Sequence, residues 1–99
     1  MEFIEVPLAG AHLIKPRKIE DHRGFFARSW CQAEFSERGL TKTMVQMNVG
    51  YSTKQGTLRG MHYQEDPHQE AKLIRCTRGA IYDVIVDLRP GSATRGEWY

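Results

Sequence analysis

Lys72-Leu73-Ile74-Arg75-Cys76-Thr77-Arg78-Gly79-Ala80-Ile81-Tyr82-Asp83-Val84-Ile85-Val86-Asp87-Leu88-Arg89 is the stretch that decides the fold class of this chain. From Ile81 onward its residues alternate in character. Tyr82, Val84, Val86 and Leu88 fall on one face of a strand, and Ile81, Asp83, Ile85 and Asp87 on the other. Thr77-Arg78-Gly79-Ala80 is a compact hairpin connection, with Gly79 suited to a positive φ. The stretch predicts two strands, over residues 71–77 and 80–88, joined by a tight turn. Cys76 lies in the apolar run of the first strand and reads as a small core residue rather than a nucleophile.

Working outward, residues 44–49 and 58–64 are further β candidates, rich in apolar, aromatic and β-branched side chains. Residues 3–6 and 12–15 read as short strands, separated by Pro7 and an Ala9-Gly10 break. Pro16 and a charged segment lead into Asp21-His22-Arg23-Gly24, a turn cluster. The single helix candidate runs over 30–38. Ser29 and Gln32 form a capping-box pattern, Cys31 and Phe35 share a face, and Gly39 is placed to end it. Several short strands with one brief helix predict an all-β fold, an antiparallel sandwich or barrel.

Composition narrows the class. A chain of 99 residues with 40% apolar and 26% charged residues makes one globular domain at most, with a modest core. The net charge of +2 is spread along the chain, without the basic stripe that nucleic acid requires. No apolar run reaches the length of a membrane span. Met1-Glu2-Phe3-Ile4-Glu5 lacks the layout of a signal peptide, so the expected compartment is the cytoplasm, with Cys31 and Cys76 as free thiols.

Chemistry concentrates in Gly56-Thr57-Leu58-Arg59-Gly60-Met61-His62-Tyr63-Gln64 and in Lys72. A histidine takes protons near neutral pH, an arginine forks onto an anionic handle, and a lysine offsets a developing oxyanion. The set suits proton abstraction beside a carbonyl on a phosphorylated substrate, as one chemistry among several. Each residue also has a plain reading: His62 as a sheet histidine, Lys72 as a solvated edge lysine, Gln46 and Asn48 as a polar outer face. Arg59 and His62 are an odd number of positions apart, so a regular strand would point them to opposite faces. If both serve one site, the strand must be distorted at Gly60.

The motifs LRGMHYQ at 58–64, QMN at 46–48, DHRGFF at 21–26, KLIRCTRGAIYDVIVDLR at 72–89 and the following GSATRG resemble the dTDP-4-dehydrorhamnose 3,5-epimerase family. The resemblance runs from about Pro7 to the end and implies a cupin-type antiparallel jelly roll, here an incomplete barrel with one short helix. It implies epimerisation at C3 and C5 of a dTDP-linked 4-keto-6-deoxy sugar, without a cofactor. By the same resemblance His62 is the general base and Lys72 sits near the keto oxygen. Arg59 would hold the nucleotide diphosphate, and Gln46 and Asn48 would bond the sugar. Arg23 would reach the substrate of a neighbouring subunit, with Phe26 packing on the base or sugar, which implies a homodimer. Phe25 reads as a core or interface aromatic.

Some positions depart from the family. Arg28 stands where many members carry a substrate-binding glutamate, which points toward a different nucleotide-linked sugar. The family's catalytic tyrosine has no counterpart among Tyr51, Tyr63, Tyr82 and Tyr99. The aspartate that orients the base has none either, since nothing in the sequence places Asp83 or Asp87 beside His62. Gln64 replaces the second histidine of the cupin metal motif, so the expected metal is none; His68 and Glu70 remain the residues that would improvise a site.

Gly96-Glu97-Trp98-Tyr99 reads as the start of another strand, and residues 1–99 as the N-terminal part of one cupin domain. A half sandwich exposes strand edges and predicts a dimer or an open, broken barrel. Two alternatives remain: a non-catalytic module that binds a nucleotide sugar, and a single-centre epimerase or ketoisomerase. A metal-dependent cupin is a third.

Overall fold

The computed structural model describes residues 1–40 and 43–99. Two antiparallel hairpins and one short helix make its regular part: β1 (Glu2–Glu5), β2 (His12–Lys15), β3 (Lys18–Asp21), β4 (Gly24–Ala27) and α1 (Gln32–Ser36). β1 and β2 pair with Phe3 opposite Ile14 and Glu5 opposite His12. Strand alternation then puts Phe3, Glu5, His12 and Ile14 on one face. That face meets α1. Phe3 packs edge-to-face on Phe35 with centroids 5.3 Å apart, Trp30 flanks Phe35 at 6.3 Å, and Phe3 meets His12 at 6.4 Å. Edge-to-face rings gain from their quadrupoles beyond the area they bury. Phe35 and Leu8, in the β1–β2 loop, are the buried apolar residues of this small core.

Strands β3 and β4 were not legible as strands, although the turn between them was. Lys18-Ile19-Glu20-Asp21 is three-quarters charged, and all four residues stay exposed, so no apolar alternation marks it. The turn does the organising. Asp21 Oδ1 accepts the Arg23 backbone N–H at 2.8 Å, an Asx turn that brings Asp21 opposite Gly24.

The helix starts later than its capping box predicts. Cys31, extended at φ −152°, precedes α1 and offers no side-chain cap. Ser29 serves elsewhere: its carbonyl accepts a hydrogen bond from the Arg75 guanidinium. The predicted end holds. Gly39 takes φ +68°, its N–H bonds the Ser36 carbonyl, and the Leu40 N–H reaches back to Phe35, each at 3.0 Å. This is the Schellman arrangement, which needs a left-handed residue at that position.

The four strands expected over 44–49, 58–64, 71–77 and 80–88 do not form ladders among the described residues; only Val86 bridges, to Trp98. The apolar patterns are real, but a strand is a lateral object and needs a neighbour to satisfy its backbone. Val45, Val49 and Leu58 are 91, 98 and 93% exposed, so no described residue covers them. Cys76 is exposed too, not a core residue, and its thiol donates to the Arg78 carbonyl at 3.3 Å. The fold is thus antiparallel β with one short helix and no closed barrel, as an incomplete jelly roll predicts. Its radius of gyration is 15.6 Å, where a compact domain of this length has about 13 Å.

The last residues fold back. Ile85 and Tyr99 exchange both backbone hydrogen bonds at 3.0 Å, and the Asp87 N–H bonds the Glu97 carbonyl at 2.9 Å. Asp87 is 5% exposed and organises the turn between. It accepts from the Arg89 backbone N–H (3.0 Å), Arg89 Nε and Nη2 (2.9 and 2.7 Å), Ser92 Oγ (2.5 Å) and Thr94 Oγ1 (2.8 Å). Arg89 above all, then Ser92, holds the Asp87 carboxyl far below the usual carboxylate range. A carboxyl depressed on folding contributes stability above its unfolded value, near 3.9, and loses it only as pH falls through the folded one. The Gly96 N–H donates to the Asp87 carbonyl at 2.7 Å, and its protection from hydrogen exchange is therefore expected to be flat between pH 7 and pH 4. In Asp87→Asn the same amide should exchange about tenfold faster, because an amide cannot serve these charged and hydroxyl donors as well. Equal protection in both proteins would refute this account of the turn.

Candidate active site

The run 56–64 forms no strand, and its backbone turns at Gly60, the position where a shared site for Arg59 and His62 would need a distortion. Gly60 takes φ +103°, and a Cβ there would lie 3.8 Å from His62 Nδ1. A side chain at this position would meet both strain and the imidazole. Arg59 folds back over the preceding loop, with Nη2 donating to the Tyr51 carbonyl at 2.8 Å. A guanidinium has five donors, so the rest of its fork stays available for an anion. Gln46 and Asn48 do share a side: Gln46 Nε2 donates to Asn48 Oδ1 at 3.3 Å. The pair orients itself before any ligand arrives.

Lys72 is not a loose edge lysine. Its Nζ lies 2.9 Å from Glu70 Oε1, with both side chains somewhat under half exposed. Lys72 first, and the Gln64 side chain as a smaller contributor, hold the Glu70 carboxyl below its ordinary range. Glu70 therefore holds the ammonium in place by a direct ion pair. Sequence reading assigned Glu70 only to an improvised metal site. Its spacing from Lys72, two residues, was the missed signal, because residues two apart in an extended segment share a side. His68, its companion there, uses its backbone N–H on the Glu65 carbonyl at 2.8 Å.

Arg23 and Phe26 stand on the β3–β4 hairpin. Asp21 holds Arg23 through Nη2 at 2.6 Å, while the arginine side chain remains 78% exposed. Arg23, by bonds to side chain and then backbone, keeps the Asp21 carboxyl below its usual range. Phe26 is 73% exposed and lies opposite Ile19. Arg28 bonds Glu34 Oε1 at 2.7 Å, and the other Glu34 oxygen takes the amino terminus at 2.6 Å. Both partners, the amino terminus first, lower the Glu34 carboxyl.

The structure thus links Gln46 with Asn48, and Lys72 with Glu70. None of the hydrogen bonds or ion pairs among the described residues gives His62 a carboxylate partner. Asp87, one aspartate considered for that role, is consumed by its own turn. No helix among the described residues is long and apolar enough to cross a membrane.

Comparison with known proteins places these features. The family profile described as dTDP-4-dehydrorhamnose 3,5-epimerase matches residues 5–99. The dTDP-4-dehydrorhamnose 3,5-epimerase of Sinorhizobium fredii NGR234 is 43% identical over 98 residues, covering 99% of this chain and 50% of that protein. Its Pseudomonas aeruginosa PAO1 namesake is 47% identical over 99 residues, covering 99% of this chain and 54% of its own length. A Bacillus anthracis Ames enzyme of that name, crystallised with TDP and PPi, superposes with TM-score 0.93 at 45% identity, over 99% of this chain and 56% of that one. The chain spans about half the length of the curated relatives it matches.

Proposed function

Because this chain belongs to the dTDP-4-dehydrorhamnose 3,5-epimerase family, we propose that it carries the proton-transfer half of a C3/C5 epimerisation on a dTDP-linked 4-keto-6-deoxy sugar. His62 takes the proton from the carbon beside the ketone, and the C–H electron pair becomes an enolate. The Lys72 ammonium, fixed by Glu70, faces the enolate oxygen. Water returns a proton to the other face of the carbon and His62 releases its own to solvent, which completes the inversion with no net change of atoms or electrons. Arg59 holds the diphosphate, Gln46 and Asn48 the sugar hydroxyls, and Arg23 and Phe26 the nucleotide. The carbonyl itself acidifies the protons, so the step draws on no redox cofactor or metal. The Lys72–Glu70 ion pair, which holds a cation a few residues beyond the run of the base, carries this reading.

Proton NMR of dTDP-4-keto-6-deoxyglucose in deuterated water tests it. Deuterium entering C3 or C5 is the expected result. Label at one carbon only makes the chain a single-centre epimerase or ketoisomerase. A second reading, a nucleotide-sugar-binding module without turnover, is favoured by the lack of a carboxylate on His62 among the described residues. Binding without exchange would select it.

The chain is also proposed to be a homodimer of the cytoplasm. It exposes 9296 Å² of surface, where a folded monomer of 11.4 kDa exposes about 5,800 Å². Much of the excess is apolar and exceeds what a standard interface covers. Light scattering after size exclusion is expected to give at least twice the monomer mass. A monomer at micromolar concentration would end the idea.

A further inference from the structure

Eight glycines among the described residues take a positive φ. At six of them an added side chain would meet nothing within 4 Å, so their surroundings say nothing about why a side chain is missing. Gly10 would meet the Arg89 guanidinium. Gly60, beyond its chain neighbours, would meet His62 alone: the backbone nitrogen at 3.7 Å and Nδ1 at 3.8 Å. In an extended segment residues two apart are separated by about 6.6 Å along the chain. At Gly60, where φ is +103°, the backbone instead folds so that the imidazole returns over the glycine. The His62 side chain is exposed and takes part in none of the side-chain hydrogen bonds or ion pairs among the described residues. Its direction is therefore set by its own backbone and not by a partner.

A base takes a proton from carbon only when its lone pair is within reach and aligned, so a ring without a partner needs another source of direction. We infer that Gly60 is a positioning residue for His62, whose positive φ turns the imidazole back and aims it. The inference rests on the proposed reading of His62 as the base and adds the residue that orients it. Two effects of a side chain at position 60 can be separated. A methyl 3.8 Å from Nδ1 is in ordinary van der Waals contact, so the ring would tolerate it. The backbone angle would not: glycine reaches a φ of +103° at no steric cost, whereas an L-residue is driven toward negative φ. That change carries the peptide of residue 61, and His62 beyond it, in a new direction. A D-residue has the opposite handedness and takes positive φ readily.

Chemical synthesis of the full chain from three segments joined at the free thiols Cys31 and Cys76 gives wild type, Gly60→Ala and Gly60→D-Ala for comparison. Gly60→Ala is expected to slow deuterium incorporation into dTDP-4-keto-6-deoxyglucose by up to about 100-fold, the scale of a reacting group displaced by about 1 Å. The loss should fall on kcat and leave KM in place, and Gly60→D-Ala should recover most of it. Nuclear Overhauser contact between the Gly60 Hα protons and the His62 ring should be present in wild type, lost in Gly60→Ala and kept in Gly60→D-Ala. Melts followed by tryptophan fluorescence should agree in all three, since the Phe3–Phe35–Trp30 cluster lies outside this run. A wild-type chain without the ring contact would overturn the inference. So would L- and D-alanine variants of equal activity, whether both retained exchange or both lost it. Should wild type bind the sugar without exchange, the epimerase reading falls, and the ring contacts of the three proteins still decide whether Gly60 aims the imidazole. Should wild type exchange and Gly60→Ala match it with its ring contact intact, the role of Gly60 falls alone.

Discussion

His62→Ala is expected to slow deuterium incorporation at C3 and C5 by between 10²- and 10⁴-fold, the range a positioned general base supplies. The loss should appear in turnover and not in binding. Arg59, Gln46 and Asn48, the residues proposed to hold the ligand, make their contacts in the structure without involving the imidazole. The variant should therefore still broaden the substrate resonances while failing to exchange its protons. Lys72→Ala should behave differently, since it also leaves Glu70 without its cation beside the keto oxygen. A free carboxylate there repels the enolate, so part of the Lys72→Ala loss should return in the double variant Lys72→Ala/Glu70→Gln. A His62→Ala protein with undiminished exchange would remove His62 from the role of base. One that lost exchange and binding together would make it a structural residue.

How much of this was legible depended on where each signal is stored. The hairpin of β1 and β2 could be read because Phe3, Ile14 and the break at Ala9-Gly10 are local facts. The end of α1 could be read because only a residue tolerant of positive φ serves at Gly39. Its beginning could not. Ser29 was claimed by Arg75, 46 residues away, and a capping pattern carries no record of such a competitor. Strands 3 and 4 were hidden because exposed strands need no apolar alternation. Their turn at Asp21 was visible because the Asx bond is made within three residues. The opposite error occurred over 44–88, where the apolar pattern is present but no described residues lie alongside to complete a ladder. Periodicity reports what a segment is prepared to bury, and a ladder depends on who is beside it.

The site shows the same division. Gln46 with Asn48, and the irregularity at Gly60, followed from counting positions along a strand. Glu70 was read only as an improvised metal ligand because its value lies in a contact with Lys72, and a lone acidic residue between Gln69 and Ala71 looks like loop. Arg28 was visible as an odd charge, yet its pairing with Glu34 needed coordinates.

Phe35→Ala is expected to abolish the folded N-terminal part of the chain. Removing a buried phenylalanine costs about 3–5 kcal/mol from transfer and cavity terms together. Small domains hold only about 5–15 kcal/mol in all, and those with modest cores sit at the low end. Here the loss falls on a core whose buried apolar members are Phe35 and Leu8. The ring at Phe35 is also the one that joins the layers, touching Phe3 of β1 on one side and Trp30 on the other. Without it, α1 keeps only the ion pairs of Glu34 with the amino terminus and Arg28, and a helix of five residues does not persist on these alone. The alternation in 81–88, by contrast, involves none of these contacts, so the Ile85–Tyr99 pairing should outlast the loss. Thermal melts followed by circular dichroism and by tryptophan fluorescence should show the wild-type transition gone, with Gly96 amide protection still present. A variant that melted within a few degrees of wild type would mean that the structure is held by contacts elsewhere. Ile19→Ala, at a position 67% exposed on β3, is the matched control and should change stability by less than about 0.5 kcal/mol.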